Sequence, residues 1–219
     1  MWLRSVIGAV RRFFGGKNTV KPSTSDPGPP PTASPPDIPP APPIMPPDVK
    51  PKMIVYTKTE VAALERLSFN AFTLLASPLG KLIESGAGIF WLIPVIQAAH
   101  ESRSGNSLLA RNHLNLFGIK PSSDWRMAGK PIVYMSTIEH INGKDREVKA
   151  GFRAYQSWLE SFMDWAELMQ KPAYAASLPL MRQGESKIEE AFIIMGRVYA
   201  TDPEYGRKLV RIYRSIKGG

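Results

Sequence analysis

The chain of 219 residues has no cysteine, which excludes a disulfide framework, a thiolate nucleophile and a cysteine-held metal. Histidine is scarce too. His100, His113 and His140 show no zinc-ligand spacing; His100-Glu101 begins like HExxH, but Ser104 stands where the second histidine is needed. No apolar run approaches the roughly 20 residues that span a bilayer. The start is also a poor secretory signal, with an apolar core of only about six residues and no A-x-A cleavage site. Acidic residues are in deficit, 19 against 28 Lys and Arg, for a net charge of +9. That balance suits an anionic partner, whether nucleic acid, a lipid headgroup layer or an acidic wall polymer.

Proline is abundant but confined: 14 of the 21 fall between Pro22 and Pro51. With fixed φ and few backbone donors, residues 17–53 cannot build a packed core and read as an extended, disordered tether. Thirty such residues at about 3.1 Å each span roughly 90 Å. Ahead of them, residues 1–16 carry Trp2, Leu3, Val6, Ile7, Val10, Phe13 and Phe14 at helical spacing beside Arg4, Arg11 and Arg12. This is a short amphipathic basic helix, suited to lying in a membrane interface or docking on a partner protein. The front end therefore reads as an anchor and a spacer.

Residues 54–219 are globular in composition and numerous enough for a single core. The spacing predicts a helix within 57–77 that starts near Thr59, a short one over 79–88 stopped by glycine, and an apolar helix over 89–102 with Pro94 near its first turns. A further turn or two follows at 107–112. The period then changes to alternation over 130–155, with Asn142-Gly143 as a hairpin turn. Capping boxes at Ser157/Glu160 and Ser186/Glu189 start two more helices, and Thr201-Asp202-Pro203 starts the last, running to Ile216. The expected class is α+β, mostly α, with one inserted β-hairpin.

Two acids stand out. Glu101 is the lone carboxylate closing an otherwise uncharged apolar helix, where burial would raise its pKa and keep it protonated, as a general acid requires. Glu139 lies late in the first hairpin strand. An acid on a helix and another on a flap can frame a cleft from two sides, the arrangement used in glycoside hydrolysis. Taken singly, each could equally be a solvated surface residue.

Five blocks occur in order: Ala98-Ala99-His100-Glu101-Ser102; Asn115-Leu116-Phe117-Gly118-Ile119-Lys120; Ser136-Thr137-Ile138-Glu139-His140; Phe152-Arg153-x-Tyr155-x-Ser157-Trp158-x-x-Ser161-x-x-Asp164; and Tyr199-Ala200-Thr201-Asp202-Pro203-x-Tyr205. Over roughly 85–216 the chain resembles the peptidoglycan-cleaving endo-β-N-acetylglucosaminidase domains of glycoside hydrolase family 73, within the lysozyme-like fold. The resemblance implies cleavage of peptidoglycan glycan strands after N-acetylglucosamine, without a metal or organic cofactor. It implies Glu101 as general acid and Glu139 as base or nucleophile, a mechanism assisted by the substrate's N-acetyl group being the alternative. It gives Tyr199 a supporting role at the reacting sugar and sets Asn115 and Phe117 at the cleft floor. Tyr155 and Tyr205 have faces suited to stacking on sugar rings, or to the core.

There are two departures from the family pattern. Arg103 and Ser104 replace the usual Gly-Trp after Glu-Ser, and His140 replaces an aromatic tyrosine. Both carboxylates remain, so the expectation is a hydrolase. A lysozyme-like domain that grips glycan without cutting is the alternative. The anchor and tether would hold it to a membrane or a particle protein, placing it in a virion or in the cell envelope. No recognition motif supports nucleic-acid binding.

Overall fold

The computed structural model describes residues 55–141 and 144–218, with side chains for all of these except 137–141 and 144–147. The amphipathic segment 1–16, the proline-rich stretch 17–53 and the Asn142-Gly143 pair lie outside the described residues. The first helix, α1 (Lys58–Ala62), is closed by reciprocal capping between Thr57 and Glu60. It is followed by α2 (Phe69–Ala87), so the single helix expected over 57–77 is divided. Distant side chains claim the backbone at the break. Asn106 accepts from Leu67 N at 2.9 Å and donates to its carbonyl at 2.8 Å, while Arg111 binds the carbonyls of Leu64 and Glu65. Ser68 then caps α2 by accepting from Ala71 N.

At its other end α2 runs through Pro78 rather than breaking there, and stops at Gly88 with φ 71°. The carbonyl that Pro78 leaves unbonded belongs to Leu74, an exposed residue, so water can replace the lost bond. Next come α3 (Leu92–Ser102), α4 (Leu108–His113) and α5 (Ser123–Met127). The antiparallel hairpin follows as β1 (Ile132–Ile141) and β2 (Lys144–Arg153). The chain continues through α6 (Trp158–Leu168), α7 (Leu178–Met181), α8 (Ile188–Tyr199) and α9 (Tyr205–Lys217), with 3-10 turns at Pro172–Tyr174 and Gly184–Lys187. The mostly helical fold with one hairpin set midway agrees with the sequence reading.

Every residue of α3 from Leu92 to Ala99 is buried. A helix apolar all round belongs inside a protein, and α2, α6 and α9 pack about it. Trp158, Trp165, Phe72, Phe117 and Phe162 fill the space between these elements, all with less than 2 % of their surface exposed. The hairpin register runs from Ile132 opposite Arg153 to Ile141 opposite Lys144, placing Glu139 opposite Arg146. By the two-residue period, Glu139 shares a strand face with Val133 and Met135.

Two expected helix starts are corrected. Ser186 does not cap α8: its hydroxyl donates to the Gln183 carbonyl inside a 3-10 turn, and Glu189 is held by Arg214 of α9. The last helix begins at Tyr205, because Asp202 accepts from Glu204 N at 2.9 Å and pairs with Lys208, keeping 201–204 as a turn. Ser157, by contrast, caps α6 as expected, accepting from Glu160 N at 3.1 Å.

The pair α8 and α9 meets across glycines. A Cβ at Gly206 would lie 2.6 Å from the Phe192 carbonyl oxygen, and one at Gly196 would lie 2.8 Å from Gly206 N. No side chain can be pushed aside there, since both obstacles are backbone. Gly206→Ala is therefore expected to force the helices apart and cost about 1–3 kcal/mol, measured as a lowered midpoint in thermal unfolding; an unchanged midpoint would contradict this packing.

Candidate active site

Glu101 occupies the last turn of α3, where the helix ends in an unusual way. Arg103, Ser104 and Gly105 all have positive φ, at 53°, 57° and 76°. Ser102, buried, donates its hydroxyl to the Ala98 carbonyl at 2.5 Å and accepts from Gly105 N at 2.7 Å, so it acts as the helix stop. Gly105 permits no side chain: a Cβ would meet Phe72 at 3.0 Å and Trp158 at 3.2 Å. The serine after the acid and the glycine three beyond it thus shape the turn that holds Glu101 at the edge of the core.

The carboxyl is half-buried, and burial raises its pKa above the usual carboxylate range; the hydrogen bond from Tyr205 opposes this only in part. Tyr205 Oη donates to Glu101 Oε1 at 2.5 Å. The other oxygen, Oε2, looks toward Gly118 (φ 64°), where an added Cβ would lie 3.7 Å away. One oxygen is engaged by the protein and the other faces a position without a side chain. A carboxyl biased toward its protonated form in this way is suited to delivering a proton.

Tyr199 stacks on Tyr205 with ring centroids 5.7 Å apart, and its hydroxyl donates to the Phe117 carbonyl at 2.6 Å. Burial and then the Glu101 carboxylate push the Tyr199 pKa well up. Tyr205 is 4 % exposed, and burial followed by Glu101 raises its pKa as well. The structure therefore brings Glu101, Tyr199 and Tyr205 together. It uses Tyr205 as a donor to the acid, leaving its ring no open face on which a sugar could stack.

Asn115 and Phe117 have a different place from the expected cleft floor. Each is 1 % exposed. Asn115 accepts from Phe117 N and Ile119 N, both at 3.2 Å, and donates to the carbonyls of Ile119 and Arg153 at 3.1 and 2.8 Å. Phe117 stacks on Trp165 at 5.5 Å and meets Phe162 edge-on. The amide folds the turn that presents Gly118 to the acid, and the phenyl ring pins that turn to α6. Tyr155 lies in a separate cluster: it donates to Asp164 at 2.6 Å, and Arg153 pairs with the same carboxylate at 2.7 Å while stacking on Trp125. That knot fastens the base of the hairpin to α6. Glu139 is located by backbone and register alone, on β1 opposite Arg146.

Sequence reasoning passed over Gln97. It is 0 % exposed, one helical turn before Glu101, and it bonds Tyr205. A lone amide in an apolar helix, four residues from the acid and so on its face, was the available signal. Among the described residues no three His, Asp or Glu side chains converge on a point where a metal could sit.

Residues 78–218 match the glucosaminidase family, described as mannosyl-glycoprotein endo-β-N-acetylglucosaminidase. The chain belongs to that family. It is of the glycoside hydrolase family 73 type, a family of peptidoglycan-cleaving enzymes. The chain is 34 % identical over 155 residues to the peptidoglycan hydrolase FlgJ of Escherichia coli K12, across 68 % of this chain and 47 % of that protein. It thus spans about half the length of that curated relative. Two solved structures share the fold. The catalytic domain of the autolysin Auto from Listeria monocytogenes superposes with a TM-score of 0.57 at 26 % identity, over 72 % of this chain and 90 % of that one. A C-terminally truncated glycoside hydrolase domain of Salmonella typhimurium FlgJ gives 0.54 at 30 %, over 69 % and 99 %.

Two outcomes follow for this family member. The raised pKa of Glu101 means that its ionised form disfavours the fold. Below the unfolded value, about 4.3, the carboxyl is protonated in both states; as pH rises through the folded value, stability is lost. In urea unfolding, the gain in stability of Glu101→Gln over wild type should grow between pH 4 and pH 8, and a pH-independent difference would be inconsistent with the burial. Arg103→Gly removes a side chain from the left-handed region and should stabilise by about 1 kcal/mol, read as a raised calorimetric midpoint.

Proposed function

We propose that this chain hydrolyses β-1,4 glycan linkages of peptidoglycan after N-acetylglucosamine, with Glu101 as general acid and Glu139 as the second carboxylate. The observation that carries the reading is the state of Glu101 within a family-matched segment. It is biased toward the protonated form, held on one oxygen by Tyr205, and turned with the other toward Gly118, which has no side chain. In the first step the proton on Glu101 passes to the glycosidic oxygen as the C–O bond breaks, and the leaving sugar departs as an alcohol. Positive charge then develops at the anomeric carbon as an oxocarbenium-like centre.

Glu139, or the N-acetyl group of the substrate itself, stabilises that centre, and water completes the hydrolysis. A carboxylate on a hairpin flap is suited to the task because the flap is anchored at its base, through Arg153 and Asp164. Tyr199 supports the site by stacking on Tyr205 and tying the Phe117 turn. His100, whose pKa is lowered by burial and by Lys208, stays neutral at pH 7 beside Tyr205.

The organisation proposed for the whole chain is an anchor over 1–16, a spacer over 17–53 and the hydrolase over 54–219. The anchor would hold the enzyme to a membrane surface or to a particle protein, and the spacer would let it reach the wall. No helix among the described residues is long and apolar enough to cross a membrane. The relatives include peptidoglycan hydrolases, an autolysin and probable N-acetylmuramidases, which supports a place of action at the cell envelope.

Digestion of purified peptidoglycan by the full chain, with mass spectrometry of the fragments, tests the reading. Products reducing at N-acetylglucosamine are expected, with release falling by roughly 10²–10⁴-fold in Glu101→Gln. Ends at N-acetylmuramic acid would overturn the bond assignment. Binding without release on several wall types would make the domain a glycan-gripping module.

A further inference from the structure

Three hydrogen bonds run in one direction from the core to the acid. Trp165 Nε1 donates to Gln97 Oε1 at 2.9 Å, Gln97 Nε2 donates to Tyr205 Oη at 3.0 Å, and Tyr205 Oη donates to Glu101 Oε1 at 2.5 Å. The direction is dictated by chemistry. An indole N–H is a donor only, so the amide of Gln97 must turn its oxygen to Trp165 and its nitrogen to Tyr205. An amide NH2 is a donor only as well, so the tyrosine oxygen must accept from it. The single phenolic proton is then left for Glu101. Neither Gln97 nor Trp165 has any surface exposed to water, so solvent cannot scramble the order.

We propose that Gln97 is a positioning residue for Glu101: acting through Tyr205, it keeps the transferable proton of the acid on Oε2. The proposal rests on the general-acid role of Glu101 given above. With Oε1 occupied as an acceptor, the proton of the neutral carboxyl resides on Oε2, the oxygen that looks toward Gly118. Without Gln97 the phenolic hydroxyl loses the donor that orients it, and the proton of Glu101 can populate either oxygen.

The groups that face the acid are few. Tyr205 comes from α9 and Tyr199 from α8. From α3 itself His100 stands edge-on to Tyr205, with Lys208 and Asp202 acting upon it. The hydrogen bond from Tyr205 favours ionised Glu101. Loosening it therefore raises the pKa of the acid and moves the basic limb of the activity profile to higher pH.

The test uses the full chain and the pH dependence of kcat/KM on peptidoglycan, with Gln97→Met, Tyr205→Phe and the double variant. Expected are an upward shift of the basic limb in each single variant, a several-fold loss of kcat with KM unchanged, and no further shift when Gln97→Met is added to Tyr205→Phe. An unmoved limb in Gln97→Met, or an equal shift in the Tyr205→Phe background, overturns the proposal and leaves Gln97 a satisfied core amide. Repeating the profile in a His100→Gln background separates the limb from histidine titration.

A second measurement needs neither a folded Gln97 variant nor activity. In the wild-type protein the ¹H–¹⁵N signals of Trp165 Nε1 and Gln97 Nε2 should titrate together with the Glu101 carboxyl. In Tyr205→Phe they should not. Hydrolysis without that coupled titration sinks the relay alone; coupled titration without hydrolysis sinks the glycosidase reading and leaves the relay in place.

Discussion

An ionised carboxylate loses several kcal/mol of hydration when it is taken from water without a partner, and Glu101 is set where that penalty operates. Its helix is buried along nearly its whole length, so the last turn cannot move to solvent without dragging α3 out of the core. The carboxyl must remain neutral, find donors, or both. Among the described residues one donor, Tyr205, reaches the carboxyl and no cation pairs with it, which leaves the balance in favour of the protonated form. Most other features around the site follow from holding that one group in that one state. The left-handed turn at 103–105 ends the helix abruptly, Ser102 locks that end, and Gly118 faces the second oxygen without a side chain.

The same economy governs the hairpin. Its base is held by several connections, among them Arg153 N to the Ile119 carbonyl, Asn115 to the Arg153 carbonyl, and the Arg153–Asp164 ion pair with Tyr155 on the same carboxylate. An ion pair this sheltered is a poor source of net stability but costly to break from one side. It therefore serves to fix geometry. The turn that faces Glu101 and the hairpin that carries Glu139 are fastened to each other through Asn115 and the end of β2, so the two halves of the proposed catalytic pair share one scaffold.

Much of this was legible in the sequence where local chemistry decides the outcome. The lone acid at the end of an apolar run drew attention to Glu101, which the fold half-buries against Tyr205; alternation identified the hairpin, and Ser157 capped the helix that its spacing announced. Legibility failed where a partner distant in sequence takes a group that local rules had assigned. Asn106 and Arg111 claim the backbone at 64–67 and divide a helix; Arg214 claims Glu189 and removes half of a capping box. Phe117 and Asn115 resembled cleft residues because their block carries the family match, yet their side chains serve the core and the turn. Spacing shows which residues belong to a block, not which way each one points. Gln97 was overlooked for the same reason, since its partners Trp165 and Tyr205 lie 68 and 108 positions away.

The separation between Glu101 and its donor has a further consequence. Tyr205 lies 104 positions downstream, on the final helix of the domain, which docks through backbone-to-backbone contact at Gly196 and Gly206. A growing polypeptide leaves the ribosome with the acid long before the residue that orients it. Until α9 closes on α8, the carboxyl lacks the donor that engages its Oε1. The state of the proposed general acid thus depends on the docking of a helix 104 positions downstream, which would couple the ability to cut to the completeness of the fold.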